Sequence, residues 1–305
     1  MVQSARRSNA ISSIKSALAD AIDDPARSVL QLSGIANYLA VETVRRRERV
    51  CGRLIVDESV VDGLRAAITG SGLICRVAKF RLVELVDVVP GTHHNGSFRY
   101  DNCGGAKSVV YFAIDAAFAA GIEEAEIRAE HQLVGQLFGY PSCCVESFLA
   151  GDQDTADRIP RTIPHTGPFP AIMNPVLPYL YPGLSLLFHF PCSPECQASQ
   201  LLAKRRLESL TRGCPEAGRI PLLGRGIALY AATVGVALVT RYRCIGPDEF
   251  ECEEILTRDG LNCPAFVDSS RAARLRLLGP HKFVAGDQIV ETGHQFAARF
   301  DQVEC

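Results

Sequence analysis

Hydrophobic positions recur at helical spacing in the first fifty residues. Apolar side chains repeat every three or four positions between residues 10 and 49, at Ile11, Ile14, Leu18, Ile22, Val29, Leu32, Ile35, Leu39 and Val44. Pro25 stands where the second run begins, and proline is favoured in the first turn of a helix. The pattern predicts two helices, with Pro25 opening the second.

Shorter apolar runs follow along the chain. Residues 53–56 predict a strand and then a helix to about Thr69, residues 74–89 predict one bent strand or two, and residues 109–113 predict a buried strand followed by a helix from Ile114. Residues 123–138 have the pattern of one amphipathic helix, which Gly139 is suited to end. Alternating positions within residues 228–243, 251–257 and 283–300 predict further strands.

The predicted fold class is therefore α+β, with mixed α/β order. We expect N-terminal helices and an α/β part over residues 1–120, a helical cysteine-bearing part over 121–212, and a β-rich part over 213–305, as separate units or as one continuous domain. The proline-rich stretch 159–182 predicts an irregular connection that lines a cleft.

Composition narrows the classes of function. The chain is 47% hydrophobic and 22% charged, which is ordinary for a globular protein, and its net charge of -2 provides no basic field for nucleic acid. The longest apolar run, residues 227–240, is shorter than the roughly 20 residues that a membrane-spanning helix needs. No apolar signal core follows Arg6 and Arg7. We expect a cytoplasmic protein with a small-molecule substrate, without nucleic-acid or membrane partners, and of undetermined oligomeric state.

Twelve cysteines are many for a cytoplasmic chain, where clustered thiols more often indicate metal binding or catalysis than disulfides. Two segments stand out, one around Cys143 and Cys144 and one around Cys192 and Cys196. Ser142 and Ser193 are suitable N-caps, with Pro194 at the first helical position, so each segment is expected to open a helix. Thiols there are expected to have a lowered pKa, because the helix N-terminus favours the thiolate.

The candidate metal ligands are these four cysteines and a nearby histidine: Cys143, Cys144, His189, Cys192 and Cys196. Because neighbouring side chains diverge, one of Cys143 and Cys144 is expected to bind and the other to pack in the core. Three thiolates suit an iron–sulfur cluster with one open iron, the leading hypothesis, or a zinc ion that His189 completes. Ser199 stands where the radical S-adenosylmethionine signature needs a third cysteine, which disfavours that class. Metal-free reactive thiols and buried structural cysteines remain alternatives.

Other polar residues are candidates to support the centre. His93, His94 and Cys103 lie in a glycine-rich turn segment and are candidate cofactor-binding residues, or else face water on a surface hairpin. The candidate catalytic residues flank the first cysteine segment, namely Glu130, His131 and Glu146, and a solvated helix face is their alternative interpretation. His165 is expected to reach the site from the proline-rich stretch.

The two cysteine segments also resemble those of a known family. Residues 139–144, Gly-Tyr-Pro-Ser-Cys-Cys, together with Phe148 and a Pro-Cys-Ser segment that leads to Cys196, resemble an uncharacterised prokaryotic family known as a domain of unknown function. The resemblance covers residues 130–199. It implies that the two segments belong together, and it implies no activity, cofactor or fold.

Three functional hypotheses follow from these residues. The leading one is an enzyme whose cysteine centre acts on a small polar metabolite in a lyase, sulfur-transfer or redox step. The second is a structural zinc site in a binding or scaffolding protein. The third is a metal-free enzyme with Cys143 or Cys144 as nucleophile and His131 or His189 as base.

Overall fold

The computed structural model describes residues 2–84, 98–101, 107–151, 162–181, 183–231, 235–257, 274–291 and 295–301. The α-helices are α1 Val2–Ala21, α2 Asp24–Arg45, α3 Glu58–Gly70, α4 Ala116–Ile127, α5 His131–Leu137, α6 Ser142–Ala150, α7 Leu177–Leu180, α8 Gln197–Gly213 and α9 Ile220–Leu223. The strands are β1 Cys51–Asp57, β2 Ile74–Glu84, β3 Phe98–Asp101, β4 Lys107–Ala113, β5 Gly226–Ala231, β6 Gly235–Gly246, β7 Glu249–Leu256, β8 Arg274–Gly279, β9 Lys282–Ala285, β10 Gln288–Glu291 and β11 Gln295–Phe300. The α+β class and the β-rich C-terminal part are confirmed.

The two N-terminal helices form as predicted, and Pro25 lies in the first turn of the second. The Asp23 carboxylate caps α2 by accepting a hydrogen bond of 3.0 Å from the Ala26 amide. Within α2 the chain kinks at Gly34, whose φ is +87°. There it meets the chain around Gly183, and the Ala36 amide donates to the Gly183 carbonyl at 2.7 Å. The kink therefore joins α2 to the segment that precedes α8.

The first sheet has the strand order β1-β4-β2-β3, and all its pairings are antiparallel. Successive side chains of the central strand β4 enter different cores: Val110 and Phe112 belong to the large core with α2 and α3, whereas Val109 and Tyr111 pack towards α4. Both faces are thus covered, which explains why β4 reads as a continuous apolar run.

Helix α4 directs two buried carboxylates towards this sheet. Glu126 accepts hydrogen bonds from Arg53 and from the Tyr111 hydroxyl, and Glu123 accepts from Arg76 and from the Lys79 amide. Buried carboxylates are tolerated when charged donors satisfy them. These pairs fix α4, and hence the start of the hairpin that carries Cys143, over the sheet.

The prediction of one helix over residues 123–138 is wrong. Helix α4 ends at Ile127, Ala129 adopts a left-handed φ of +55°, and α5 begins at His131. The break lets α4 pack on the sheet while α5 turns to pack against α6, an arrangement that apolar periodicity alone does not reveal. Gly139 follows the end of α5 with φ +68°, as predicted.

The second sheet has the order β10-β9-β8-β7-β6-β5-β11, again with antiparallel pairings. One face forms its own core around Phe250 and Phe283, and the other face joins the large core through Tyr230 and Phe296. The large core draws residues from all three predicted parts of the chain. The division at residues 120 and 212 remains a prediction.

The described part of the proline-rich stretch, residues 162–181, is fixed against strand β11. The Phe169 amide donates to the Arg299 carbonyl at 2.8 Å, and the Arg299 amide donates to the Thr166 carbonyl at 2.7 Å. Gly167 lies between them with φ +98°, where a Cβ would approach the Arg299 carbonyl oxygen to 2.4 Å. This docking sets the position of His165 near the cysteine segments.

Among the described helices, none has both the length and the apolar character needed to cross a bilayer.

The contact between α5 and α6 gives a stability prediction. A Cβ at Gly135 would lie 2.6 Å from Cγ2 of Val145, whereas a Cβ at Gly121 in α4 would meet no atom within 4 Å. We expect Gly135→Ala to lower the free energy of unfolding by about 1–3 kcal/mol, because a stiff β-branched side chain must move. Gly121→Ala should raise it by up to about 1 kcal/mol through helix propensity. Denaturant titration of both variants measures the difference, and equal stability of the two would contradict the close α5–α6 packing.

Candidate metal centre

The first cysteine pair lies at the turn between α5 and α6. The Tyr140 amide donates to the Gly135 carbonyl at 2.9 Å, and the Cys144 amide donates to the Pro141 carbonyl at 2.9 Å. Pro141 is the N-cap of α6, and Ser142 is the first residue of the helix. Within the described residues, no side-chain hydrogen bond caps this helix end. The prediction of Ser142 as N-cap is therefore wrong by one residue. Cys143 and Cys144 nevertheless lie in the first turn of the helix, as predicted.

The second cysteine pair brackets a turn that precedes α8. The Cys196 amide donates to the Ser193 carbonyl at 3.1 Å, and the helix begins at Gln197 with Cys196 as N-cap. The prediction that Ser193 caps a helix starting at Pro194 is wrong. The Ser193 hydroxyl accepts from the Glu195 amide at 3.2 Å, so it is used within the turn rather than at the helix end.

The four sulfur atoms converge on one point. The Sγ atoms of Cys143, Cys144, Cys192 and Cys196 all lie within 4.8 Å of one another. The Sγ atom of Cys196 lies 3.7 Å from the Sγ atom of Cys143 and 3.6 Å from the Sγ atom of Cys144. The Sγ atoms of Cys143 and Cys144 are 3.9 Å apart. Cys144 and Cys196 are buried, whereas Cys143 is exposed. Contrary to the expectation that one of the adjacent pair turns away, both sulfurs face the cluster, which could hold a metal ion.

Ser199 is a buried neighbour of this cluster that the sequence did not identify as functional. Its hydroxyl lies 3.3 Å from Cys144 Sγ and 2.8 Å from Nε2 of His189. The buried positions 199, 203, 206 and 210 of α8 follow helical spacing, so one face of the helix carries Ser199 to the cluster. This helical spacing was the sequence signal that could have identified Ser199. A polar residue on an otherwise inward face of a helix indicates a buried hydrogen-bond partner.

The structure places His189 behind Ser199 and outside the group of converging sulfurs. Its ring lies against Tyr140, with centroids 5.1 Å apart, and its Nδ1 atom is buried without a hydrogen-bond partner. Burial lowers the pKa of His189 to about 4, and the positive charge of Arg206 adds to the effect. His189 is thus a neutral side chain that contacts the cluster through Ser199.

The pKa values of Cys144, Cys192 and Cys196 differ. Burial raises the pKa of Cys144 and raises that of Cys192 to about 11. Burial also acts against ionisation of Cys196, but hydrogen bonds from the hydroxyl and amide of Ser199 and from neighbouring thiols lower its pKa to about 7. The expected pKa depression in the first pair is therefore not found at Cys144; it occurs at Cys196. A bound metal ion would displace the remaining protons, since metals bind the thiolate.

The candidate catalytic residues lie around the first segment without joining the cluster. Glu130 is exposed at the start of α5 and lies 3.9 Å from Arg128, and Glu146 is exposed on α6. His131 packs edge-on against Phe148. No described hydrogen bond links any of the three to a cysteine sulfur. His165 does approach the second segment: its Nδ1 accepts from the Gly167 amide, and its Nε2 lies 3.1 Å from a carboxylate oxygen of Glu195.

His93, His94 and Cys103 lie outside the described residues, so their proposed role in cofactor binding stays a prediction.

No family model, no curated protein and no solved structure matches this chain. The resemblance of residues 130–199 to a domain of unknown function stays a prediction. The functional argument therefore rests on the geometry of the cysteine centre and its surroundings.

The buried imidazole gives a prediction about pH. His189 should stay neutral from pH 7 down to about pH 4, because burial and Arg206 oppose its protonation. In the unfolded chain the same ring takes a proton below its ordinary pKa of 6.5, so its contribution to folding stability is lost as the pH falls from about 6.5 towards 4. NMR titration of ¹⁵N-labelled histidines, with His189→Gln to assign the signal, measures the pKa directly. Protonation of that ring near pH 6.5 would show that it is not buried as described.

Proposed function

We propose that this protein is a metalloprotein in which Cys143, Cys144, Cys192 and Cys196 bind a single zinc ion. The observation that supports this most directly is the separation of the sulfur atoms. Zinc binds thiolates at about 2.3 Å in a tetrahedron, whose edge is then about 3.8 Å. The Sγ separations among Cys143, Cys144 and Cys196 are 3.6, 3.7 and 3.9 Å, close to that edge, and Cys192 Sγ lies within 4.8 Å of the other three.

The separation of the sulfur atoms also argues against the iron–sulfur hypothesis. Sulfurs that bind different irons of a cluster are held apart by the bridging sulfides and the second metal, so they lie farther from one another than ligands of one ion. Four sulfurs within 4.8 Å leave little room for such a core. A single ion therefore accounts for the arrangement better than a cluster, although a single iron bound by the same four thiolates remains the close chemical relative of the zinc site.

A closed four-thiolate site is typical of structural zinc. Here the ion would connect the α5–α6 turn with the turn before α8, two segments that are some fifty residues apart in sequence. The amide of Cys192 already donates to Cys144 Sγ at 3.4 Å, and such bonds commonly orient and stabilise metal-bound thiolates. The proposed role is to fix the start of α8 against the α5–α6 hairpin in a protein that binds a small molecule.

An enzyme acting on a small polar metabolite is the second candidate. The observation that favours it is the exposure of Cys143, the one exposed member of the cluster. An exposed ligand can be displaced, which would open a coordination position for a substrate or water and convert a closed site into a catalytic one. His165 lies 3.1 Å from Glu195, the residue before Cys196, and this exposed pair would be available for proton transfer.

Metal analysis tests the proposal. We expect about one equivalent of zinc per chain, no acid-labile sulfide, and tetrahedral thiolate absorption bands after exchange with Co²⁺. Cys192→Ser should lose most of the metal, because one of four thiolates is removed. Cys244→Ser is the matched control, since Cys244 is an exposed cysteine on β6 that lies outside the cluster. If protein purified without oxygen contains iron and stoichiometric sulfide, the zinc proposal is incorrect and the site holds an iron–sulfur centre.

Removal of the metal should also destabilise the fold. Chelation under reducing conditions is expected to remove about 5 kcal/mol of stability, which lowers the thermal midpoint by roughly 10 °C for a chain of this size. Calorimetry before and after chelation, with zinc added back, measures the change. If the zinc-loaded wild type and the chelated wild type melt together, the proposed structural role is incorrect.

A further inference from the structure

Two arginines are buried around one aromatic ring behind the cysteine centre. Arg49 is 8% exposed and Arg206 is 4% exposed. Their guanidinium carbons lie 5.0 Å and 4.2 Å from the centroid of the Phe188 ring. Gly52 leaves room for this arrangement, because a Cβ there would lie 3.0 Å from the Nη2 atom of Arg49 and closer still to Phe112. The chain thus brings two positive charges together in its interior.

Neither charge is neutralised by a carboxylate of the described chain. Arg49 donates to the Thr43 hydroxyl at 2.9 Å and to the Ala40 carbonyl at 2.8 Å, and Arg206 donates to the Leu186 carbonyl at 2.6 Å. All three acceptors are neutral. The exposed Glu48 acts on both guanidinium groups electrostatically without forming an ion pair with either.

Elsewhere in the described chain, buried carboxylates are paired with arginines. Arg53 bonds Glu126, Arg76 bonds Glu123, and Arg45 and Arg46 both bond Glu42. Removing one partner of a buried pair is costly, because it leaves a charge without compensation. Arg49 and Arg206 are in that costly state. Burial lowers the pKa of Arg206, and the positive charge of Arg49 lowers it further.

Their hydrogen-bonding capacity is also largely unused. A guanidinium carries five N–H donors in a planar fork that matches the oxygens of a carboxylate or a phosphate. Arg206 uses this fork on a single carbonyl within the described residues. The unused donors of the fork are available to an acceptor that is not part of the protein.

Two further polar groups adjoin the pair. The half-buried Tyr140 side chain lies within electrostatic reach of Arg49, Arg53 and Arg206, and its ring lies 5.1 Å from that of His189. His189 Nδ1 is buried without a partner, while its Nε2 is occupied by Ser199. In the neutral imidazole one ring nitrogen carries the proton and the other accepts, so the direction of the bond to Ser199 decides whether Nδ1 donates or accepts. A ligand with anionic oxygens would satisfy the guanidinium groups, and Nδ1 is free to bond the same ligand.

We propose that Arg49, Arg206, Tyr140 and His189 form a binding site for a small oxyanion, a carboxylate or a phosphate, next to the cysteine centre. The two guanidinium groups bind the anionic oxygens, and His189 Nδ1 forms a hydrogen bond with the ligand. Ser199 connects the site to Cys144, and Arg206 lies about 10 Å farther along α8 than Ser199. None of the contacts that define the site requires a metal, so the inference goes beyond the zinc proposal and does not depend on it.

Thermal unfolding at constant ionic strength tests this site, with chloride replaced by inorganic phosphate or by malonate. For the 305-residue chain we expect each effective anion to raise the midpoint by roughly 2–4 °C in a saturable way. Arg206→Met keeps most of the side-chain volume and removes the charge, and it should abolish the rise. Arg206→Lys should retain part of it, because the charge stays while the fork is lost. Arg205→Met is the matched control, since Arg205 is the exposed neighbour on the same helix and its loss should leave the rise unchanged.

The outcomes separate the possible roles. A response to phosphate alone or to malonate alone supports the site and identifies the ligand class. In the absence of anions, Arg206→Met should be at least as stable as the wild type, because it removes an uncompensated buried charge. Lack of any saturable response in the wild type, or an equal response in Arg206→Met and wild type, would overturn the proposal. Zinc content measured on the same samples shows whether a lost response accompanies loss of the metal, so failure of either proposal is recognised separately.

Discussion

The structure of this site depends on the close approach of four cysteine sulfurs, which lie within 4.8 Å of one another. Neutral thiols gain little from such packing, and four thiolates at these separations would repel one another strongly. A cation of suitable size converts that repulsion into attraction and binds the α5–α6 turn to the turn before α8. The burial of Cys144 and Cys196 strengthens the argument, because an ion held there is partly shielded from water and from competing ligands.

Helix α8 extends this constraint into the interior. Its inward face places Ser199 beside Cys144 and places Arg206, two turns later, beside Phe188. His189 lies between these points, bonded to Ser199 and influenced by the charge of Arg206. The cysteine centre and the arginine pair are therefore two ends of one hydrogen-bonded and packed assembly. Fixing the start of α8 also fixes the direction in which Arg206 points.

The sequence predicts the elements well where one local signal acts alone. Helical spacing with Pro25 predicts α1 and α2, and alternation predicts the C-terminal strands. It also predicts that the two cysteine segments belong to one centre, because cysteines at two expected helix starts share a chemistry. It does not predict the break at Ala129 or the late start of α8, since both depend on which surfaces the helices pack against. Ser199 and Arg206 were missed for a related reason: their partners, Cys144 and Phe188, become neighbours only in the folded chain.

The two proposals are linked through stability. An arginine pair without a carboxylate lowers the stability of the unliganded fold, and proteins retain such strain mainly where it serves binding. A metal ion held by the four cysteines would supply stabilisation of the opposite sign. The chain would then hold a preorganised cationic site that a carboxylate at the same place would have neutralised. The cysteine centre would then act less through its own chemistry than by holding the charges of Arg49 and Arg206 in position for an anion.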